Sequence, residues 1–130
     1  MILLVAILSL IAQPVNSHKV LLINDVHLNI NSTDYYSQPG EETNIRTLNT
    51  VLTEAAKVED ASGTPIEAIL LVGDLVKHKM AARDLAIPVE DTQWEQMQLT
   101  MIEVITAIKT AFPTVPILPV IGNNDVIYHD

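Results

Sequence analysis

The sequence predicts one α/β domain, a parallel sheet built in the order β-α-β-α-β with flanking helices. Short runs of aliphatic and β-branched residues recur at Lys19 to Asn24, Ile66 to Val72 and Val115 to Ile121. Between them lie two segments whose apolar residues return at helical spacing. Each strand run then ends in polar residues: Asp25-Val26-His27, Gly73-Asp74 and Gly122-Asn123-Asn124-Asp125. Strands that alternate with helical crossovers run parallel, and open parallel sheets hold ligands at their carboxyl edge. The three polar clusters are therefore expected to converge around Asp74.

Composition narrows the function classes. The chain has 130 residues, 48% of them hydrophobic, enough for one core and too apolar for disorder. A net charge of −9 without a basic patch repels nucleic-acid duplexes and anionic membranes. Lys77-His78-Lys79 is too short to reverse that. There is no cysteine, so disulfides and thiolate zinc sites are excluded and any metal must rest on His, Asp, Glu, Asn or backbone oxygen.

Taken in order, the chain opens with an uncharged apolar run from Ile2 to Ala12, followed by Gln13 to Ser17. Eleven residues rise only about 16 Å as a helix, against the roughly 30 Å of a hydrocarbon core. Val15 and Ser17 suit the positions before a signal-peptidase cut, which makes 1–17 a signal peptide and leaves no transmembrane anchor after its removal. The alternative is a buried N-terminal strand or helix of a cytosolic protein. Asn31-Ser32-Thr33 is a glycosylation sequon compatible with secretion.

Lys19 to Asn24 is the first strand, and residues 28 to 42, with Pro39-Gly40, form a polar surface loop. Ile45, Leu48, Val51, Leu52 and Ala55 mark the buried stripe of a helix from Thr43 to about Val58. A turn at 60–65 leads into Ile66 to Val72, whose unbroken apolar character reads as a strand buried on both faces. Thr92 to Glu95 has the spacing of a capping box, opening a helix whose stripe is Trp94, Met97, Met101, Ile105, Ile108 and Phe112. Trp94 at that spacing belongs to the core rather than to a substrate platform. Pro113 stops this helix, and Pro116 and Pro119 assign the last strand to an edge or an irregular position.

The chemistry sits at the strand ends. Asp25 and His27 are two apart, and on an extended segment their side chains share one side, where they can grip one divalent ion. Asp74 at the next strand end can bridge to a second ion, and Asn123 offers a neutral carbonyl oxygen. That ligand set suits zinc, manganese or iron better than calcium. Two such ions lower the pKa of a shared water and clamp phosphoryl oxygens for in-line attack. Singly, each piece has a plainer reading: His27 alone fits a solvated loop, and Lys77 and Lys79 fit solvated side chains.

Together, Asp25-x-His27, Gly73-Asp74 and Gly122-Asn123-Asn124-Asp125 resemble the first three motifs of the calcineurin-like metallophosphoesterases, D-x-H, G-D and G-N-H-[D/E]. His78, four residues after Asp74 and behind an apolar leader, is similar to the acid sphingomyelinase branch. The segment Gly122 to His129 resembles the variant third motif of endopolyphosphatases, with Asn124 where sphingomyelinases carry His. The resemblance spans 18–130 and implies the N-terminal half of that family's α/β sandwich.

It implies Asp25 and His27 on a first metal, Asp74 bridging, Asn123 on a second metal, and His78 and Asn124 as catalytic residues facing the phosphate. It also implies two divalent ions in the complete domain, zinc first, with manganese or iron as alternatives. The substrate is then a phosphoester, in a phospholipid, a nucleotide or polyphosphate, met outside the cell or in a lysosome- or vacuole-like lumen. An amide at Asn124 can donate a hydrogen bond but is no general acid, which passes leaving-group protonation to His78. The family's remaining ligands, a histidine at a fourth strand end and a distal G-H-x-H, have no counterpart among His18, His27, His78 and His129. Weak or no turnover is therefore expected of residues 18–130 alone. The alternative is a non-catalytic secreted α/β module that has lost the second half of the metal site.

Overall fold

The computed structural model describes residues 18–37, 41–78, 80 and 91–126, excepting the side chains of 60, 62, 91 and 92. The expected signal peptide, Pro39-Gly40, Lys79 and His129 lie outside these residues. Among the described residues five regular elements follow in order: β1 (Lys19–Asn24), α1 (Ile45–Ser62), β2 (Ile66–Val72), α2 (Asp91–Ala111) and β3 (Ile117–Val120). A 3₁₀ turn, Asn123–Asp125, comes after β3. The sheet is parallel throughout, in the order β1-β2-β3, with Leu22, Leu70 and Leu118 in one row across it. The β-α-β-α-β expectation holds, and β2 is the central strand.

One face of the sheet makes the core. Ile66, Ile69 and Leu71 of β2 pack with Leu48 and Leu52 of α1 and with Val104, Ala107 and Ile108 of α2. Burying such side chains stabilises the fold by about 1.5–3 kcal/mol each. The opposite face, by contrast, carries exposed apolar residues on all three strands, Val20, Leu22, Leu70, Val72, Leu118 and Val120. The expectation that β2 is buried on both faces is corrected by Leu70 and Val72, at 37% and 39% exposure. An apolar run reports an affinity for burial, not which layer supplies it, and here both helices contribute to the core on the Ile69–Leu71 side.

Local chemistry moves several boundaries. Helix α1 starts at Ile45, because Thr43 is held extended: its N–H donates to His27 O at 3.1 Å and its O accepts from Asn29 N at 2.8 Å. Buried Asn44 then caps the helix, its Oδ1 accepting the Thr47 N–H at 2.8 Å. The helix runs on to Ser62, where Gly63 takes the left-handed φ of 63° that ends many helices. Val51 faces solvent, outside the expected stripe. Helix α2 begins at Asp91, which puts Thr92 inside the first turn. Trp94 is 36% exposed, and Thr100 and Val104 take places in the stripe beside Met97 and Ile108, so the buried line drifts from the expected one. Strand β3 is a short edge strand, as its prolines predict.

Candidate metal centre

The site is built where the three parallel strands end. Among the described residues, positive φ outside glycine occurs at Asp25 (49°), His27 (45°) and Asp74 (50°) and nowhere else. These are three of the four residues expected to bind metal. Each such backbone costs of order 1–3 kcal/mol and persists only where surrounding contacts enforce it. The expectation of an extended segment is corrected here, since Asp25 and His27 are both left-handed, yet their side chains still converge on one side. Enforcement comes from the segment that follows β2: His27 N–H donates to Asp74 O and Leu28 N–H to Leu75 O, both at 2.8 Å. Leu28 also bridges to Thr43 and Val76, and both Leu28 and Val76 are fully buried.

Ligand atoms of Asp25, His27 and Asp74 lie within 4.8 Å of one another. His27 Nε2 is 4.0 Å from Asp74 Oδ2, close to the roughly 3.4 Å between two donors on one tetrahedral zinc. His27 Nδ1 stands 3.3 Å from Val76 O, a carbonyl that can only accept, and a proton placed on Nδ1 by that contact would leave the Nε2 lone pair for an ion. Asn24 Nδ2 steadies the exposed Asp25 by donating to its Oδ2 at 2.6 Å. Mixed imidazole and carboxylate donors fit a divalent transition metal.

The third strand end reaches Asp74 through two glycines. A Cβ on Gly73 would fall 2.6 Å from Gly122 Cα, and a Cβ on Gly122 would overlap the N and Oδ1 of Asp74. Only this bare-backbone contact lets Asn124 N–H donate to Asp74 Oδ1 at 2.9 Å. One carboxylate oxygen of Asp74 is thus anchored, and the other faces His27. Asn123 is exposed on the 3₁₀ turn beside Gly122, and Asn124 is buried.

His78 comes to the same place. Its ring stacks on that of His27, with centroids 4.0 Å apart and planes 14° from parallel. Lys77, half-buried, donates from its Nζ to Asn29 Oδ1 at 3.3 Å.

Two further residues belong to the site, Asp125 and Glu42. Asp125, buried, accepts from Leu75 N at 2.6 Å and Val76 N at 3.1 Å through Oδ1, and from Gly122 N at 3.0 Å through Oδ2. Its place three residues after Gly122 is the spacing of a carboxylate that reaches back to the first N–H of a turn, a signal present in the sequence. Glu42 meets His78, and nothing in its polar loop marks it.

Two comparisons bear on this geometry. A family model described as calcineurin-like phosphoesterase matches residues 18–130. No curated protein matches the chain.

Proposed function

This chain belongs to the calcineurin-like phosphoesterase family, and on that premise we propose that it is a metal-dependent phosphoester hydrolase centred on Asp25, His27 and Asp74. The observation that carries the reading is the coincidence of backbone strain and ligand proximity at these three residues. A divalent ion held there would supply Lewis-acid polarisation of a phosphoryl oxygen and a more acidic water. The chain's own part is orientation. Asn124 N–H fixes Asp74 Oδ1 and leaves Oδ2 for the metal; Val76 O fixes the His27 tautomer. Asn123 would offer a neutral oxygen to a second ion, and Asp74 would be the carboxylate shared with it. His78, stacked on His27, hydrogen-bonds or protonates the phosphate, and the Asn124 amide donates to a phosphoryl oxygen.

Within the family, the acid sphingomyelinase and endopolyphosphatase branch is favoured by His78 four residues after Asp74 and by Asn124 in the third motif. The substrate is then a phospholipid, nucleotide or polyphosphate ester, and zinc, manganese or iron is the metal. The uncharged leader of 1–17 supports a secreted or lumenal protein whose domain is 18–130, and the net charge of −9 argues against nucleic-acid duplexes as partners. The second reading, a non-catalytic module, draws on the solvent-facing apolar row of Leu22, Leu70 and Leu118.

The test is calorimetric titration of zinc, then manganese, into wild type and Asp74→Ala. Saturable binding that weakens at least about tenfold in the variant is expected. Equal affinity in both proteins refutes the site. Binding without turnover on a panel of phosphomonoesters, phosphodiesters and sphingomyelin favours the non-catalytic module.

A further inference from the structure

We propose that Glu42 is the positioning residue for His78, a role that rests on His78 facing the phosphate. Glu42 Oε1 lies 2.8 Å from His78 Nδ1 and also accepts the His78 main-chain N–H at 3.2 Å. An ionised carboxylate only accepts hydrogen bonds, so Nδ1 must carry the proton and Nε2 becomes the nitrogen that exchanges with substrate. Two bonds from one oxygen, one to the ring and one to its own backbone, fix both the ring's direction and its tautomer.

Glu42 is itself held. It precedes Thr43, whose N–H and O are bonded to His27 O and Asn29 N–H on the β1 loop. Its carboxylate is partly buried, and its Oε2 is enclosed without a partner among the described residues. An enclosed oxygen is costly to leave unpaired, and the two His78 contacts on Oε1 offset part of that cost.

His27, Glu42 and His78 also lie within metal-binding distance of one another. Ring geometry argues against a shared ion there. Nitrogen lone pairs lie in the ring planes, and two stacked rings with centroids 4.0 Å apart and planes 14° from parallel offer no point near the rings that lies in both planes. The stack instead makes a platform: His27, committed through Nε2 to the Asp25–Asp74 cluster, is the surface on which Glu42 sets His78.

The experiment is long-range ¹H–¹⁵N correlation of the imidazole nitrogens in the full ¹⁵N-labelled chain, at about pH 8.5, roughly two units above the ordinary imidazole pKa. Wild type is expected to show His78 predominantly as the Nδ1–H tautomer. Glu42→Gln, which keeps a carbonyl acceptor, retains it; Glu42→Ala moves His78 to the Nε2–H form that free imidazole prefers. A wild-type His78 already in the Nε2–H form overturns the proposal with no variant needed. So does an unchanged tautomer in Glu42→Ala. Zinc titration of Asp74→Ala bears on the metal centre alone, so failure of one reading is distinguishable from failure of the other.

Discussion

Asp74 and Asp125 are carboxylates at neighbouring strand ends, close enough to serve the same turn, and they do opposite work. Asp125 is buried and takes N–H groups from Leu75, Val76 and Gly122, spending both oxygens on the backbone. Asp74 sits at a φ of 50°, takes one N–H from Asn124, and keeps its other oxygen toward His27. A carboxylate whose lone pairs are filled by main-chain donors is a structural pin. One held in a strained backbone with a lone pair unspent is poised for a ligand. The first makes the second possible, because Asp125 fixes the β2 and β3 ends whose contact orients Asp74.

The sharpest way to break this contrast is Asp125→Ala. It strands buried N–H groups of Leu75 and Val76, and a loss of about 4 kcal/mol in urea unfolding is expected. A loss under about 1 kcal/mol would mean that water replaces the carboxylate and that Asp125 is no pin. Next is Gly122→Ala, whose Cβ would overlap Asp74 N and Oδ1. It should cost about 3 kcal/mol and weaken zinc binding as well, because the clash falls on Asp74 itself. Stability at the wild-type value would show that the β2 and β3 ends separate easily.

Asp74→Asn probes the other side of the contrast. The amide keeps an oxygen for the Asn124 N–H, so stability should shift by less than about 1 kcal/mol while zinc affinity falls at least about tenfold. Parallel losses in stability and affinity would collapse the distinction between the two carboxylates. The smallest effect is expected of Asp25→Gly, exposed and left-handed at a φ of 49°. Relief of that backbone should add about 1 kcal/mol of stability, offset in part by glycine's freedom in the unfolded chain, as zinc affinity drops. A stability loss there would mean that Asp25 is not held against its preference.

Much of this was legible beforehand. Strands β1 and β2 fall at the residues the apolar runs predict, since a parallel strand's composition is a local property. The meeting of the strand ends was legible in part because glycine and aspartate after such strands mark a turn that brings backbone close to something. Trp94 and Val51 were misplaced because helical spacing defines a stripe only to within a residue or so, and the packing partner selects the rest. Glu42 was out of reach: its link to His78 joins residues 36 apart through a polar loop, and no periodicity governs such a pair.

What the sequence by itself determined is the alternation of strands and helices and the residue types at the strand ends, because these follow from periodicity and from local backbone preference. Tertiary structure decided the rest. It placed both helices' buried stripes against one face of β2, pressed Gly73 on Gly122, and drove Asp25, His27 and Asp74 into left-handed backbone. It also set His78 between His27 and Glu42. Those outcomes depend on contacts between segments far apart in the chain, where the free energy of packing and hydrogen bonding exceeds the local cost of strain.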